Sequence, residues 1–96
     1  MKPTPLSPEE IAGLRALLPG WQVEGAELVK TFAFTSYLGG IEFVRRLAVA
    51  AEEMKHHPDL HIGWRQVTVR LSTHSVKALT SLDLELARKA ESLVGA

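Results

Sequence analysis

The chain contains no cysteine, which excludes disulfides, thiolate catalysis and every zinc site that needs a thiolate, and fits a reducing compartment. Net charge is missing too: 11 Lys and Arg balance 11 Asp and Glu, and no basic run exceeds Arg45-Arg46. The electrostatic footprint of direct nucleic-acid binding is therefore absent. No stretch approaches the roughly 20 apolar residues of a membrane span. The opening MKPTPLSPEE has no apolar segment of the kind a secretory leader carries. These absences lead to the expectation of a cytoplasmic protein with no membrane segment.

What is present reads as an ordinary globular chain, 46% hydrophobic and 23% charged over 96 residues. That length predicts a single domain, 1–96, with one core whose modest stability self-association would supplement. Residues 1–6, with Pro3 and Pro5, read as an extended lead-in. Ser7-Pro8-Glu9-Glu10 then supplies an N-cap serine, a proline at the first helical position and a glutamate at the third. A helix over about 8–18 follows, with Ile11, Leu14, Leu17 and Leu18 on one face and Pro19-Gly20 as its stop.

Two β-favouring runs, Trp21-Gln22-Val23 and Leu28 to Phe34, flank Glu24-Gly25-Ala26-Glu27 and predict a hairpin. Lys30 breaks the apolar parity of the second run, which places it near a sheet edge. Thr35 or Ser36 caps a second helix to about Lys55, with Ile41, Val44, Leu47, Ala48, Ala51 and Met54 at helical spacing. Phe43, Leu47 and Ala50 widen that stripe sideways, the pattern of a helix that also packs between subunits. Leu60, Ile62 and Trp64 share one parity and Val67, Val69 and Leu71 the other, so a tight turn within 64–66 joins two more strands. Thr80-Ser81-Leu82-Asp83 is a capping sequence, and Leu82, Leu86, Ala90 and Leu93 mark a last helix to about Val94. The order α-β-β-α-β-β-α predicts an α+β fold, a four-stranded antiparallel sheet with three helices packed on one face.

All four histidines, His56, His57, His61 and His74, fall in one stretch, EEMKHHPDLHIGWRQVTVRLSTH. Imidazole exchanges protons near neutral pH, with an unperturbed pKa of about 6.5. A lone histidine at a helix end commonly does no more than complement the helix dipole; three together point to proton transfer or a metal. Pro58 ends the helix at the His56-His57 pair. Glu52, one turn before His56 on the same face, is placed to orient that imidazole. Adjacent histidines cannot readily face one ion, Pro58 breaks the spacing of His57 and His61, and neither H-E-x-x-H nor a finger pattern occurs, so no metal is expected. His61 reads as a surface residue, Asp83 as a cap and site support alike, and Trp64 as a strand aromatic that can also stack on a substrate.

The set E-x-x-x-H-H-P at Glu52, His56, His57 and Pro58, with Trp64, Ser72-Thr73-His74 and Asp83, resembles the pterin-4a-carbinolamine dehydratases. The resemblance runs from the first strand to the final helix and includes the positions of Phe32, Phe34 and Phe43. It implies a lyase without metal or organic cofactor that dehydrates 4a-hydroxytetrahydrobiopterin to the quinonoid dihydropterin and so supports tetrahydrobiopterin recycling. It implies His56, His57 and His74 as catalytic histidines, Glu52 and Asp83 as supporting carboxylates, and Lys55, Pro58, Trp64, Ser72, Thr73 and Ser75 around the pterin. It further implies a homodimer or homotetramer and a functional link to an aromatic amino-acid hydroxylase. Two alternatives go with it: an interaction module that stabilises a transcription factor's dimer, as animal relatives do, and a dehydratase for another pterin. The chain departs from the family at Lys77-Ala78, where glycines are common, and at Leu60, where an aromatic is.

Overall fold

A computed structural model describes residues 2–94. Ser7 accepts from the Glu10 amide while the Glu10 carboxylate accepts from the Ser7 amide, a reciprocal cap that opens helix α1, Pro8–Leu17. Leu14 and Leu18 of this segment are buried. Leu17, expected on the same face, is 55% exposed. The helix ends there, and Leu18 and Trp21 are the residues of this segment that join Leu14 in the core.

Strands β1, Gln22–Glu24, and β2, Glu27–Ala33, form the first hairpin in the register Glu24↔Glu27. Gly25 takes φ 61° at the first loop position, where a two-residue hairpin turn of this kind needs a left-handed residue. Helix α2, Tyr37–Met54, is capped by Ser36, and the second hairpin, β3 Asp59–Gly63 with β4 Gln66–Leu71, turns at Trp64-Arg65. Helix α3, Ser81–Leu93, follows a Thr80 cap. The strand order is β1-β2-β4-β3, all neighbours antiparallel, so the two hairpins join through their second strands.

This order puts Lys30 in a central strand, opposite Val69, and not near an edge. Its charge is accommodated because Lys30 Nζ meets Glu91 of α3 at 2.5 Å and lies 4.8 Å from the Phe32 ring centre. The same carboxylate oxygen accepts from Trp21 Nε1 at 2.9 Å, which closes the polar seam at that end of the core.

One hydrophobic cluster joins the three helices to one face of the sheet: Leu14 and Leu18, then Phe43, Leu47 and Ala51, then Leu86, Ala87 and Ala90 over Leu28, Phe32, Val67, Val69 and Leu71. Edge-on and tilted ring contacts run Trp21–Phe32–Phe43–Phe34 with centroids 5.0–5.8 Å apart. On α2 the buried row is Gly40, Phe43, Leu47, Ala50 and Ala51. The residues expected to flank the stripe thus form its centre, and Ala48, expected inside, is exposed. Gly40 decides the rotation: a Cβ there would meet Val67 Cγ2 at 3.3 Å, so the helix lies on the sheet at its smallest side chain.

The C-terminus of α2 closes with two backbone bonds, Lys55 N–H to the Glu52 carbonyl and His56 N–H to the Ala51 carbonyl, each 3.1 Å. This is the Schellman pattern, whose pivot residue is normally glycine because it must adopt a left-handed conformation. Here the pivot is Lys55, at φ 53° and ψ 39°. Left-handed geometry costs a side-chain-bearing residue about 1–2 kcal/mol, and the looser unfolded chain of a glycine returns about 0.4–1 of that. Lys55→Gly is therefore expected to raise stability by about 0.5–1 kcal/mol, or roughly 3–6 °C in Tm for a domain of this size. Thermal denaturation measures it, and a lowered Tm would refute the strain.

Candidate active site

Pro58 keeps His57 out of helical geometry, and the Lys55 pivot turns the chain before it. Two consecutive histidines consequently meet opposite surroundings. His56 folds back under the helix end and is only 8% exposed, whereas the His57 side chain is 61% exposed.

Buried His56 places Nε2 2.6 Å from Oδ1 of Asp83, itself 1% exposed on the first turn of α3. The second carboxylate oxygen, Oδ2, accepts from the Thr80 amide at 2.9 Å and from the Thr73 hydroxyl at 2.7 Å. Thr73 has one hydroxyl proton and gives it to Asp83, so in its 2.8 Å contact with Thr80 it must accept. Thr80 in turn accepts from the Leu82 amide at 3.2 Å. Every donor in this buried chain is thereby fixed: Leu82 N–H to Thr80, Thr80 O–H to Thr73, Thr73 O–H to Asp83, and His56 Nε2–H to Asp83. The carboxylate cannot rotate, because its other oxygen is held as the helix cap.

One consequence concerns the free ring nitrogen. With Nε2 donating to the carboxylate, neutral His56 is the Nε2–H tautomer and Nδ1 carries the lone pair. Among the described residues no buried side-chain nitrogen or oxygen lacks a partner, and Nδ1 has none, so it retains contact with solvent. His56 lines a cleft of about 370 Å³ together with Pro3, Lys55, His57, Ser72, Thr73, His74, Ser75 and Leu82. That volume is in the usual range for small-molecule sites, about 300–1,000 Å³. A larger hollow of about 500 Å³ between α1 and β1 is lined by Arg15 as its one charged residue and by no histidine, Asp or Glu, so the groups able to exchange protons gather at the smaller cleft.

Glu52 does not orient His56. Its Oε1 lies 2.6 Å from His57 Nε2, with both side chains exposed. The one-turn spacing to His56 assumed that the helix continued, and the left-handed Lys55 breaks that assumption by carrying His56 inward. An exposed pair of this kind contributes little stability, about 0–1 kcal/mol, so its effect is to hold the His57 ring in place.

His74 enters from the end of β4. The bridge Thr73↔Ala78 and the turn between them present it exposed at the cleft, with Lys77 closing the turn at φ 52°. Family glycines near this position would adopt that conformation without strain; here a lysine does so. Ser72 and Ser75 line the cleft as expected. Pro58 shapes the approach to His57 without lining the cleft. Trp64 is placed elsewhere: it sits at the opposite end of the β3–β4 hairpin, 74% exposed, with Arg65 stacked 4.8 Å from its ring. The strand register explains this, since β3 runs away from His57 before reaching Trp64.

Sequence reasoning missed three contributors. Pro3 reaches the cleft because the lead-in is pinned along the start of α3, through Leu6 N–H to the Leu79 carbonyl at 2.8 Å and the bridge Pro5↔Thr80. Leu82 forms part of the floor, and Thr80 is a link in the buried chain besides being a cap. Only the capping sequence carried a signal for Thr80; nothing local announced the strand-like docking of Pro5. Among the described residues no three His, Cys, Asp or Glu side chains are grouped so that they could hold a metal ion.

Two measurements check the buried chain. Long-range ¹⁵N–¹H correlation of neutral His56 is expected to show the Nε2–H tautomer; an Nδ1–H tautomer would refute the assigned donors. Thr73→Val takes one donor from Asp83 and the acceptor from the Thr80 hydroxyl, and is expected to cost about 1–3 kcal/mol in denaturant unfolding, whereas Thr73→Ser keeps most of the stability.

The comparisons with known proteins fit this geometry. The family model for pterin 4 alpha carbinolamine dehydratase matches residues 4–93. A protein of Thermosynechococcus vestitus provisionally assigned as a pterin-4-alpha-carbinolamine dehydratase is 49% identical over 83 residues, covering 86% of this chain and 87% of the relative. A crystal structure from Brucella melitensis, described as a transcriptional coactivator/pterin dehydratase, superposes with a TM-score of 0.90 at 32% identity, covering 96% of this chain and all of that one. A pterin dehydratase-like protein described as a RuBisCO assembly factor of the alpha-carboxysome superposes with a TM-score of 0.65 at 27% identity, covering 79% of this chain and 88% of that one. With the matched residues taking in the cleft lining from Lys55 to Leu82, the chain belongs to the pterin 4 alpha carbinolamine dehydratase family.

Proposed function

We propose that this protein dehydrates 4a-hydroxytetrahydropterins, 4a-hydroxytetrahydrobiopterin among them, to the quinonoid dihydropterin and water. The observation that carries the reading is the His56 imidazole lining the cleft, backed by a buried carboxylate and accompanied by two further imidazoles. In the reaction the C4a–O bond breaks and a proton leaves N5, the N5=C4a double bond forms, and the departing oxygen takes up a proton to leave as water. No electrons are gained or lost overall, so an acid and a base suffice.

His56 suits the base. As Nδ1 accepts the N5 proton, the ring becomes an imidazolium whose Nε2–H already points at Asp83, and no group has to move. His74, or His57 for the opposite configuration at C4a, donates to the hydroxyl. Proton transfer by a positioned side chain is worth typically about 10²–10⁴ in rate for each step. Glu52 holds His57, Asp83 holds His56, and Lys55, Ser72, Thr73 and Ser75 bound the substrate space. Since the substrate would be the product of an aromatic amino-acid hydroxylase, such an enzyme is the natural source of it.

A second reading, interaction through α2, has its own observation. Leu38 and Val49 on the helix face turned from the core are 74% and 51% exposed. We take this face as the contact for self-association into a dimer or tetramer, and a coactivator-like scaffold would use the same surface.

The purified protein is expected to accelerate decay of a 4a-hydroxytetrahydropterin generated in situ by a hydroxylase, and His56→Ala and His74→Ala are each expected to lower kcat/KM by about 10²–10⁴. A folded wild-type protein that leaves the decay unchanged rules the dehydratase out. Val49→Glu is expected to shift the protein to a smaller species in size-exclusion chromatography with light scattering; an unchanged mass would show that assembly does not use this face.

A further inference from the structure

The charges around the cleft are uneven. Its described lining includes Lys55, the three histidines His56, His57 and His74, and the hydroxyl-bearing Ser72 and Ser75, and no Asp or Glu. The two acids nearest in function are committed: Asp83 is buried under His56 and held by Thr73 and Thr80, and Glu52 is bonded to His57 outside the lining. Lys55 has no ion-pair or hydrogen-bond partner among the described residues.

Three independent features converge on this point. Lys55 holds the left-handed pivot at which glycine would cost less, so a cation is kept at the rim against a backbone penalty. Ser72 is only 9% exposed, yet its hydroxyl has no partner among the described residues; because no fully buried polar atom is left unpaired, this oxygen opens to the cleft. The third feature is the first turn of α3, which directs the positive end of a helix of 13 residues toward the same space through Leu82.

Substrate connectivity shows what would meet these groups. In a 4a-hydroxytetrahydropterin the side chain leaves from C6, the carbon bonded to N5. With the N5 proton passing to His56, the C6 substituent starts two bonds from the nitrogen that meets that histidine, and Lys55 is the histidine's immediate neighbour in the chain. We propose that Lys55 and the Ser72 hydroxyl form a subsite for an anionic group on the C6 side chain, so that the preferred substrates are pterins bearing a phosphate ester or a carboxylate there. This rests on the dehydratase reading of the cleft and adds to it the class of side chain.

The test compares stable 7,8-dihydropterins by fluorescence titration: 7,8-dihydroneopterin, its monophosphate, and 7,8-dihydrofolate, whose side chain ends in glutamate. One exposed charge-assisted contact corresponds to about a two- to fivefold gain in affinity. The anionic ligands are expected to bind tighter than the neutral one by that factor, and the advantage is expected to shrink between about 0.05 and 0.5 M salt as screening shortens. Lys55→Asn, whose new side chain tolerates the left-handed pivot, is expected to bring the affinity ratio close to one, and Lys55→Arg to restore it. A gain for the monophosphate alone would identify the group as phosphate, and a gain for dihydrofolate alone as carboxylate; either supports the subsite. Equal affinity for neutral and anionic ligands overturns the inference while leaving the dehydratase intact. Failure of all three to bind the folded protein overturns both.

Discussion

The structure depends on a single buried contact, the hydrogen bond between His56 and Asp83. An imidazole and a carboxylate that are each more than nine-tenths buried would be costly to hold out of water separately. Together they are tolerable only if the remaining carboxylate oxygen is satisfied, and here that oxygen ends α3 as its cap and takes the Thr73 hydroxyl from the strand end. Three elements distant in the chain are thus tied at one carboxylate: the end of α2, the end of β4 and the start of α3. The cleft lies where they meet.

A second constraint sets how the histidines divide. The α2 terminus has to reverse within two residues, because Pro58 forbids further helix and β3 must begin at Asp59. Only a left-handed pivot turns the chain that tightly, and the pivot separates His56, drawn under the helix, from His57, left at the surface with Glu52. Two neighbours of identical chemistry become a buried, oriented imidazole and a solvent-facing one. The exposed imidazole is held by one contact, to Glu52; the buried one is held by a carboxylate that is itself fixed.

The element order and boundaries were legible in the sequence because they depend on short-range signals: Ser7 and Thr80 as caps, Pro19-Gly20 and Pro58 as stops, the parity change between Ile62 and Val67. The constellation of His56, His57, His74 and Asp83 was legible by resemblance. What escaped was whatever depends on rotation about an element axis or on the geometry of a single residue. Periodicity alone gave α2 a stripe one position off, since Gly40, the smallest residue and hence invisible to a hydrophobic pattern, fixes the closest approach to Val67. The pairing of Glu52 went to the wrong histidine because a left-handed lysine is not a sequence signal. Trp64 fell outside the cleft because strand direction, not composition, decides which end of a hairpin faces the chemistry.

The double duty of Asp83 bears on how such a fold can diverge. A lineage that abandons catalysis can lose imidazoles at little cost to folding, since two of the three are exposed. The aspartate is not free in the same way, because losing it removes its bond to the Thr80 amide at the start of α3 and strands the hydroxyl of Thr73. Descendants recruited to assembly or scaffolding would therefore be expected to keep the acid after the histidines have drifted, so that a surviving aspartate is evidence of ancestry and only the histidines are evidence of present activity.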